Sequence, residues 1–144
     1  MTFSVTVDFP VDPAAAFALL ADPVRRPAWQ SSLRRVTLLT EDPLGLGTRW
    51  IDHTWAGPAP TMEITCFDPG VRWSERGSWR GLVVDLVLDL TPGLGAAAGG
   101  TTITATTTTY AAGLWRPAGG LLELLGPRVA RDDLRRAARL TAGG

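Results

Sequence analysis

The sequence predicts an α+β domain: seven antiparallel strands in one sheet, two short helices between the first and second strands, and a long helix at the C-terminal end. Three observations predict it. Seven segments read as strands, most of them with residues alternating between two faces. The turns between successive later strands are short, which favours an antiparallel meander over parallel crossovers of a dozen or more residues. The tail repeats apolar residues at a spacing of four, as a helix with one buried face does.

The first strand spans 3–9 and places Phe3, Val5, Val7 and Phe9 on one face. In VDPAAAFALLADP, Asp12 is suited to cap a helix, and Pro13 fits the first helical position, where its missing N–H is not needed. Pro23 ends this helix, and Asp22-Pro23 repeats the cap-then-proline signal, so a second short helix is predicted to about Trp29. Strands follow at 33–40, 48–55, 61–67, 71–76, 82–90 and 101–111, separated by DPLGLG, AGPAP, DPG, GSWRG and PGLGAAAGG. The last of them, TTITATTTTYA, is too rich in β-branched residues for a comfortable helix. From 117 to 140 the stripe Leu122, Gly126, Ala130, Leu134 and Ala138 defines the closing helix. Leu121, Leu125 and Val129 lie beside the stripe, and Asp132 and Arg136 stand opposite. Gly126-Pro127 is expected to kink or divide this helix.

Composition narrows the function. A chain of 144 residues with 45% hydrophobic content suits one domain, 1–144, with a single core. Charges balance at 14 against 14, which removes the field that would attract nucleic acid, and every cation is arginine. Cys66 stands alone, so neither an internal disulfide nor a cysteine zinc site is expected, and no HxxxH or CxxC spacing supplies a metal site. No metal and no cofactor are expected. The start of the chain alternates polar and apolar residues and lacks the layout of a signal peptide. The most apolar segment, LVVDLVLDL, is interrupted by Asp85 and Asp89 and is far shorter than the ~20 residues that span a bilayer. A soluble, cytoplasmic protein without stable membrane insertion is the expectation, with a homodimer left open. GLGAAAGG precedes a strand rather than a helix, so it reads as a hairpin loop and not as a phosphate cradle.

This order resembles the SRPBCC superfamily, which includes START-like lipid-transfer domains, birch-pollen-allergen relatives and polyketide cyclase/dehydrases. The residues that carry the resemblance are VDPAAAFALLADPVRRPAWQ for the paired helices, GLGTRW entering the third strand, CFDPGVRW in a hairpin, GGTTIT opening the last strand, and LLGPRVARDDLRRAARL in the closing helix. The resemblance implies a helix-grip fold, in which a curved sheet wraps around the C-terminal helix and encloses a cavity for a hydrophobic or amphipathic ligand. Small residues agree with a cavity: Gly126 and Ala130 on the helix and Ala105 on the last strand would leave volume that dense interiors normally fill.

Around the single histidine, in RWIDHTWAG, alternation separates Arg49, Ile51, His53 and Trp55 from Trp50, Asp52 and Thr54. Ile51 and Trp55 favour the first set as the inward face, which would make His53 a pocket residue. Glu75, on a face with Val71 and Trp73, is the carboxylate best placed to partner it. The catalytic candidates are therefore His53, Glu75 and Arg49, although a pocket-polar or structural His53 outweighs a catalytic one. The expected ligand contacts are Trp29, Ile51, His53, Trp55, Met62, Trp73, Glu75, Ala105, Tyr110, Gly126 and Ala130. Tryptophans near strand ends suit an aromatic or polycyclic ligand as well as plain core packing. The arginines at 128, 131, 135 and 139 read as a solvated face.

The leading functional expectation is binding or carriage of a small hydrophobic ligand. An enzyme of the polyketide aromatase/cyclase kind, acting in the same cavity, is the alternative that the resemblance implies. A domain that binds a partner or client protein is the third reading.

Overall fold

A computed structural model describes residues 1–93, 99–111 and 116–143, with side chains at all of these except 111 and 116–124. Most of the GLGAAAGG loop, and the helix-stripe side chains of Leu121 and Leu122, lie outside the described residues.

Eight-residue strand β1 (Thr2–Phe9) leads into helix α1 (Pro13–Leu20) and a 3₁₀ helix (Pro23–Ala28). Then come β2 (Leu33–Leu38), β3 (Arg49–Thr54), β4 (Thr61–Asp68), β5 (Arg72–Trp79), β6 (Leu82–Pro92), β7 (Thr101–Ala111) and helix α2 (Arg116–Ala142). The strands form one sheet in the order β1-β7-β6-β5-β4-β3-β2, and every neighbouring pair is antiparallel. Hairpins join β2 through β7 in sequence, and β1 returns to pair with β7 along its whole length. Register shifts between Leu33 and Arg35 and between Ile64 and Cys66 introduce the local bends that bulges give a sheet.

Both short helices begin as the aspartate-proline pairs predict. Asp12 Oδ1 accepts from the Ala15 N–H at 2.8 Å, and Asp22 Oδ1 from the Val24 N–H at 3.1 Å. The second is 3₁₀ because Pro27 lies inside it and has no N–H with which to close an α-helical turn.

The core lies between the inner face of the sheet and the helices. Val5, Val7 and Phe9 of β1, Ile103 and Ala105 of β7, and Leu88 and Leu90 of β6 meet Leu134, Ala137 and Ala138 of α2. Phe17 of α1 packs edge-on to Phe67 and Trp73, with ring centroids 5.4 and 6.4 Å apart. Helix α2 runs unbroken through Gly126-Pro127, so the helix is not divided there, with Pro127 inside it. Gly126 instead permits close packing: a Cβ there would lie 2.7 Å from Phe3 Cε1, so this position carries the helix across β1.

The face of β3 is the opposite of the one expected. Trp50 is fully buried and Asp52 nearly so, while Trp55 is 71% exposed. Register explains the reversal. Trp50 pairs with Met62 of β4, and both project to the inner side, whereas Trp55 lies beyond the end of β3, where no sheet partner covers it. Trp55 covers Arg34 instead, with the guanidinium carbon 5.9 Å from its ring centre.

Candidate functional site

Between the sheet, the 3₁₀ helix and α2 lies a cavity of about 420 Å³. Its apolar wall comes from Met62, Leu86, Leu88 and Ala105 of the sheet and from Ala130 and Leu134 of α2. Gly77 makes room for Met62, since a Cβ at that position would lie 2.6 Å from the Met62 sulfur. At one end the wall turns polar, through Arg26, Trp29, Asp52 and Glu75.

That polar end is assembled from three separate parts of the chain. The 3₁₀ helix brings Arg26 inside, where it is 1% exposed. Its Nη1 lies 2.6 Å from Glu75 Oε1 and donates to Oε2 at 2.7 Å. Trp73 Nε1 donates to Glu75 Oε1 at 2.8 Å, and Trp50 Nε1 donates to Asp52 Oδ1 at 2.9 Å. Each inward tryptophan therefore holds the carboxylate two residues further along its own strand. The Arg26 guanidinium carbon lies 5.6 Å from the Trp29 ring centre and 5.7 Å from those of Trp50 and Trp73. Three aromatic rings and one carboxylate thus replace the water that a buried cation has lost. Arg26 Nε and Nη2 and Trp29 Nε1, all buried, find no acceptor among the described residues.

Burial raises the Asp52 carboxyl to about 6 from an ordinary 3.8; the Arg26 guanidinium opposes this rise, Glu75 adds to it, and the bond from Trp50 opposes it. Asp52 can therefore exchange a proton near neutral pH. On α2, Asp133 also borders the cavity; its Oδ1 accepts from the Ser31 N–H and from Arg136 Nη1, each at 3.1 Å.

Of the residues expected to contact ligand, Trp29, Met62, Glu75, Ala105, Gly126 and Ala130 line this cavity. Trp73 is fully buried beside it and holds Glu75. Ile51, His53 and Trp55 do not face the cavity, because β3 turns Trp50 and Asp52 inward. Tyr110 is 53% exposed and stands on the outer side of β7, one residue from the inward Thr109. Arg49 is exposed on the same outer face of β3 as His53. The expected convergence of His53, Glu75 and Arg49 therefore does not form. His53 Nε2 is 2.9 Å from Thr37 Oγ1 on the neighbouring strand. Its partial burial, then the cations Arg35 and Arg34, lower its pKa and favour the neutral ring.

Sequence reasoning missed Arg26 and Asp52. A signal for Asp52 was present: RWID and RWSE repeat an arginine, a tryptophan, one variable residue and an acid. In both copies the tryptophan and the acid face inward and are bonded to each other. Arg26 gave no such signal, because only the folded chain brings it against Glu75, 49 residues away. Among the described residues no group of three or more histidine, cysteine, aspartate or glutamate side chains could hold a metal ion, and no helix is long and apolar enough to cross a membrane.

Comparison with known proteins matches residues 1–142 to a family model described as polyketide cyclase/dehydrase and lipid transport. An uncharacterised protein of Mycobacterium tuberculosis is 32% identical over 74 residues, covering 51% of this chain and 44% of that protein. A counterpart in Mycobacterium bovis matches to the same extent. The chain thus spans less than half the length of these relatives. Among solved structures, a Deinococcus radiodurans protein superposes with a TM-score of 0.71 at 21% identity, covering 100% of this chain and 99% of the other. A Thermobifida fusca protein gives 0.73 at 17% identity, with 97% and 92% covered. The crystal structure of Ara h 8.0201 gives 0.70 at 17% identity, with 100% and 99% covered. At these identities the structures establish the shared helix-grip architecture.

Proposed function

Because the chain belongs to the polyketide cyclase/dehydrase and lipid transport family, we propose that it binds and carries a small hydrophobic molecule in the cavity beneath α2. The observation that supports this reading is the cavity itself: about 420 Å³ of space with a mostly apolar wall, between the sheet and α2. The proposed ligand contacts are Trp29, Met62, Leu88, Ala105, Ala130 and Leu134.

Carriage stands ahead of cyclase chemistry because the residues expected to perform that chemistry lie on opposite sides of the sheet. It stands ahead of client-protein binding because the apolar wall is set back between the sheet and α2, with Met62, Leu88, Ala105 and Leu134 buried. Native mass spectrometry of the purified protein tests the reading. The expected result is one small apolar molecule per chain, retained in gentle conditions and lost in Ala130→Phe, which fills the cavity. A protein that binds no apolar compound, or an Ala130→Phe variant that binds as well as the parent, would overturn it.

A further inference from the structure

The buried donors at the polar end of the cavity specify more than apolar character. Glu75 engages only Nη1 of Arg26, which leaves the Nε–H and Nη2–H edge without an oxygen partner among the described residues. That edge is a planar fork whose two parallel N–H bonds match the two oxygens of a carboxylate. Trp29 Nε1 is a third buried donor on the same cavity. Aromatic faces screen the guanidinium charge but are weaker acceptors than oxygen, so an oxygen ligand would stabilise all three donors.

Charge decides in what state such a ligand binds. Asp52 faces Arg26 from the 3₁₀ helix and Glu75 from β5, and Asp133 of α2 borders the same cavity. Its cross-strand neighbours, Val36 on β2 and Pro60 ahead of β4, carry no charge. Arg26 and Glu75 cancel, so an ionised Asp52 would repel an incoming anion, whereas a protonated Asp52 would donate a hydrogen bond to it. We propose that the free edge of Arg26, together with Trp29 Nε1, binds the carboxylate of an apolar monocarboxylic acid whose body fills the cavity, and that Asp52 takes up one proton from solvent as this ligand enters. The readily reached acid form of Asp52 supports the second half of this proposal. The inference rests on the carriage reading and adds the chemical class of the cargo and a pH dependence of loading.

Calorimetry with three bicyclic compounds of similar shape tests it: 2-naphthoate, 2-acetonaphthone and 2-ethylnaphthalene, each between pH 6 and 8, where naphthoate stays ionised. At pH 6 naphthoate is expected to bind the full chain about tenfold or more tighter than ethylnaphthalene. Its affinity is expected to fall by about tenfold per pH unit at the upper end of the range, as one linked proton requires, with neither neutral compound changing. Titrations in buffers of different ionisation enthalpy should report uptake of about one proton per naphthoate. Trp29→Phe trims one apolar contact and removes one donor, so it should weaken naphthoate by about tenfold more than it weakens ethylnaphthalene. Asp52→Asn, whose amide can still donate, should remove the pH slope. Naphthoate binding no tighter than ethylnaphthalene, or without pH dependence, would overturn this proposal and leave carriage standing. Failure of all three compounds to bind would overturn both.

Discussion

Strand β5 takes part in arginine–carboxylate pairs on both of its faces, in opposite surroundings. On the inner face Glu75 meets Arg26 at 2.6 Å, with side chains 2% and 1% exposed. On the outer face Arg76 meets Asp85 at 2.7 Å, with side chains 55% and 25% exposed. A second outer pair joins Arg72 to Asp89 at 2.6 Å. The distances are nearly the same, so contact geometry does not separate the two faces. Solvent does. Water screens the outer pairs and can replace either partner, while the inner pair has exchanged water for three indole rings and one tryptophan N–H. A short distance between opposite charges therefore indicates little about stability until burial is known. The inner pair also retains unused donors beside a cavity, which links its arrangement to function.

The comparison breaks most sharply at Glu75. Glu75→Ala leaves a buried guanidinium without its carboxylate and should cost about 3–5 kcal/mol in urea unfolding. Replacing both partners with apolar residues, as in Arg26→Met with Glu75→Leu, should recover most of that loss, because no uncompensated charge then remains. A cost below about 1 kcal/mol for Glu75→Ala would mean that Arg26 reaches water.

Asp52 sharpens the same contrast through pH. Its folded carboxyl titrates near 6 against 3.8 for the ordinary group, so between these values the native state holds the proton that the unfolded chain has released. Stability must then fall as pH rises through that window, with the loss complete above it. Asp52→Asn should remove this slope and raise stability at pH 8 by roughly 2–3 kcal/mol, measured as the wild-type-minus-variant difference across pH 4–8. A parallel pair of curves would refute the assignment.

On the outer face the hydrogen bonds from Arg76 hold the Asp85 carboxyl below its usual range, yet both groups meet solvent. Arg76→Ala should cost far less in urea unfolding than Glu75→Ala, and the cost should shrink further in high salt. The smallest effect is expected at His53. His53→Phe removes one half-buried hydrogen bond to Thr37 and should leave ligand affinity within about twofold of the parent. A larger change in affinity would place the imidazole in communication with the cavity.

What could be read from the chain follows from the range of the interactions involved. Asp12-Pro13 and Asp22-Pro23 act within one helical turn, so the starts of the short helices were legible. The alternation in 2–9 and 101–111, the short turns and the stripe on α2 are local as well, and they indicated the strands, their antiparallel sense and the closing helix, while the pairing of β1 with β7 is a long-range contact that they did not indicate. The lining positions Ala105 and Ala130 were legible because a small residue in an apolar stripe leaves space wherever that stripe packs.

Tertiary structure decided the rest. Alternation assigns β3 two faces but not which is buried, and Trp50 and Trp55 pull in opposite directions. Only pairing with Met62 and the end of the strand before Trp55 turned Asp52 inward and His53 outward. Arg26 reads as one more charge in a short arginine run until folding brings it to Glu75. Burial and the proximity of charges depend on the whole packed chain, so residues whose roles depend on a low dielectric become visible only once the sheet has closed over α2.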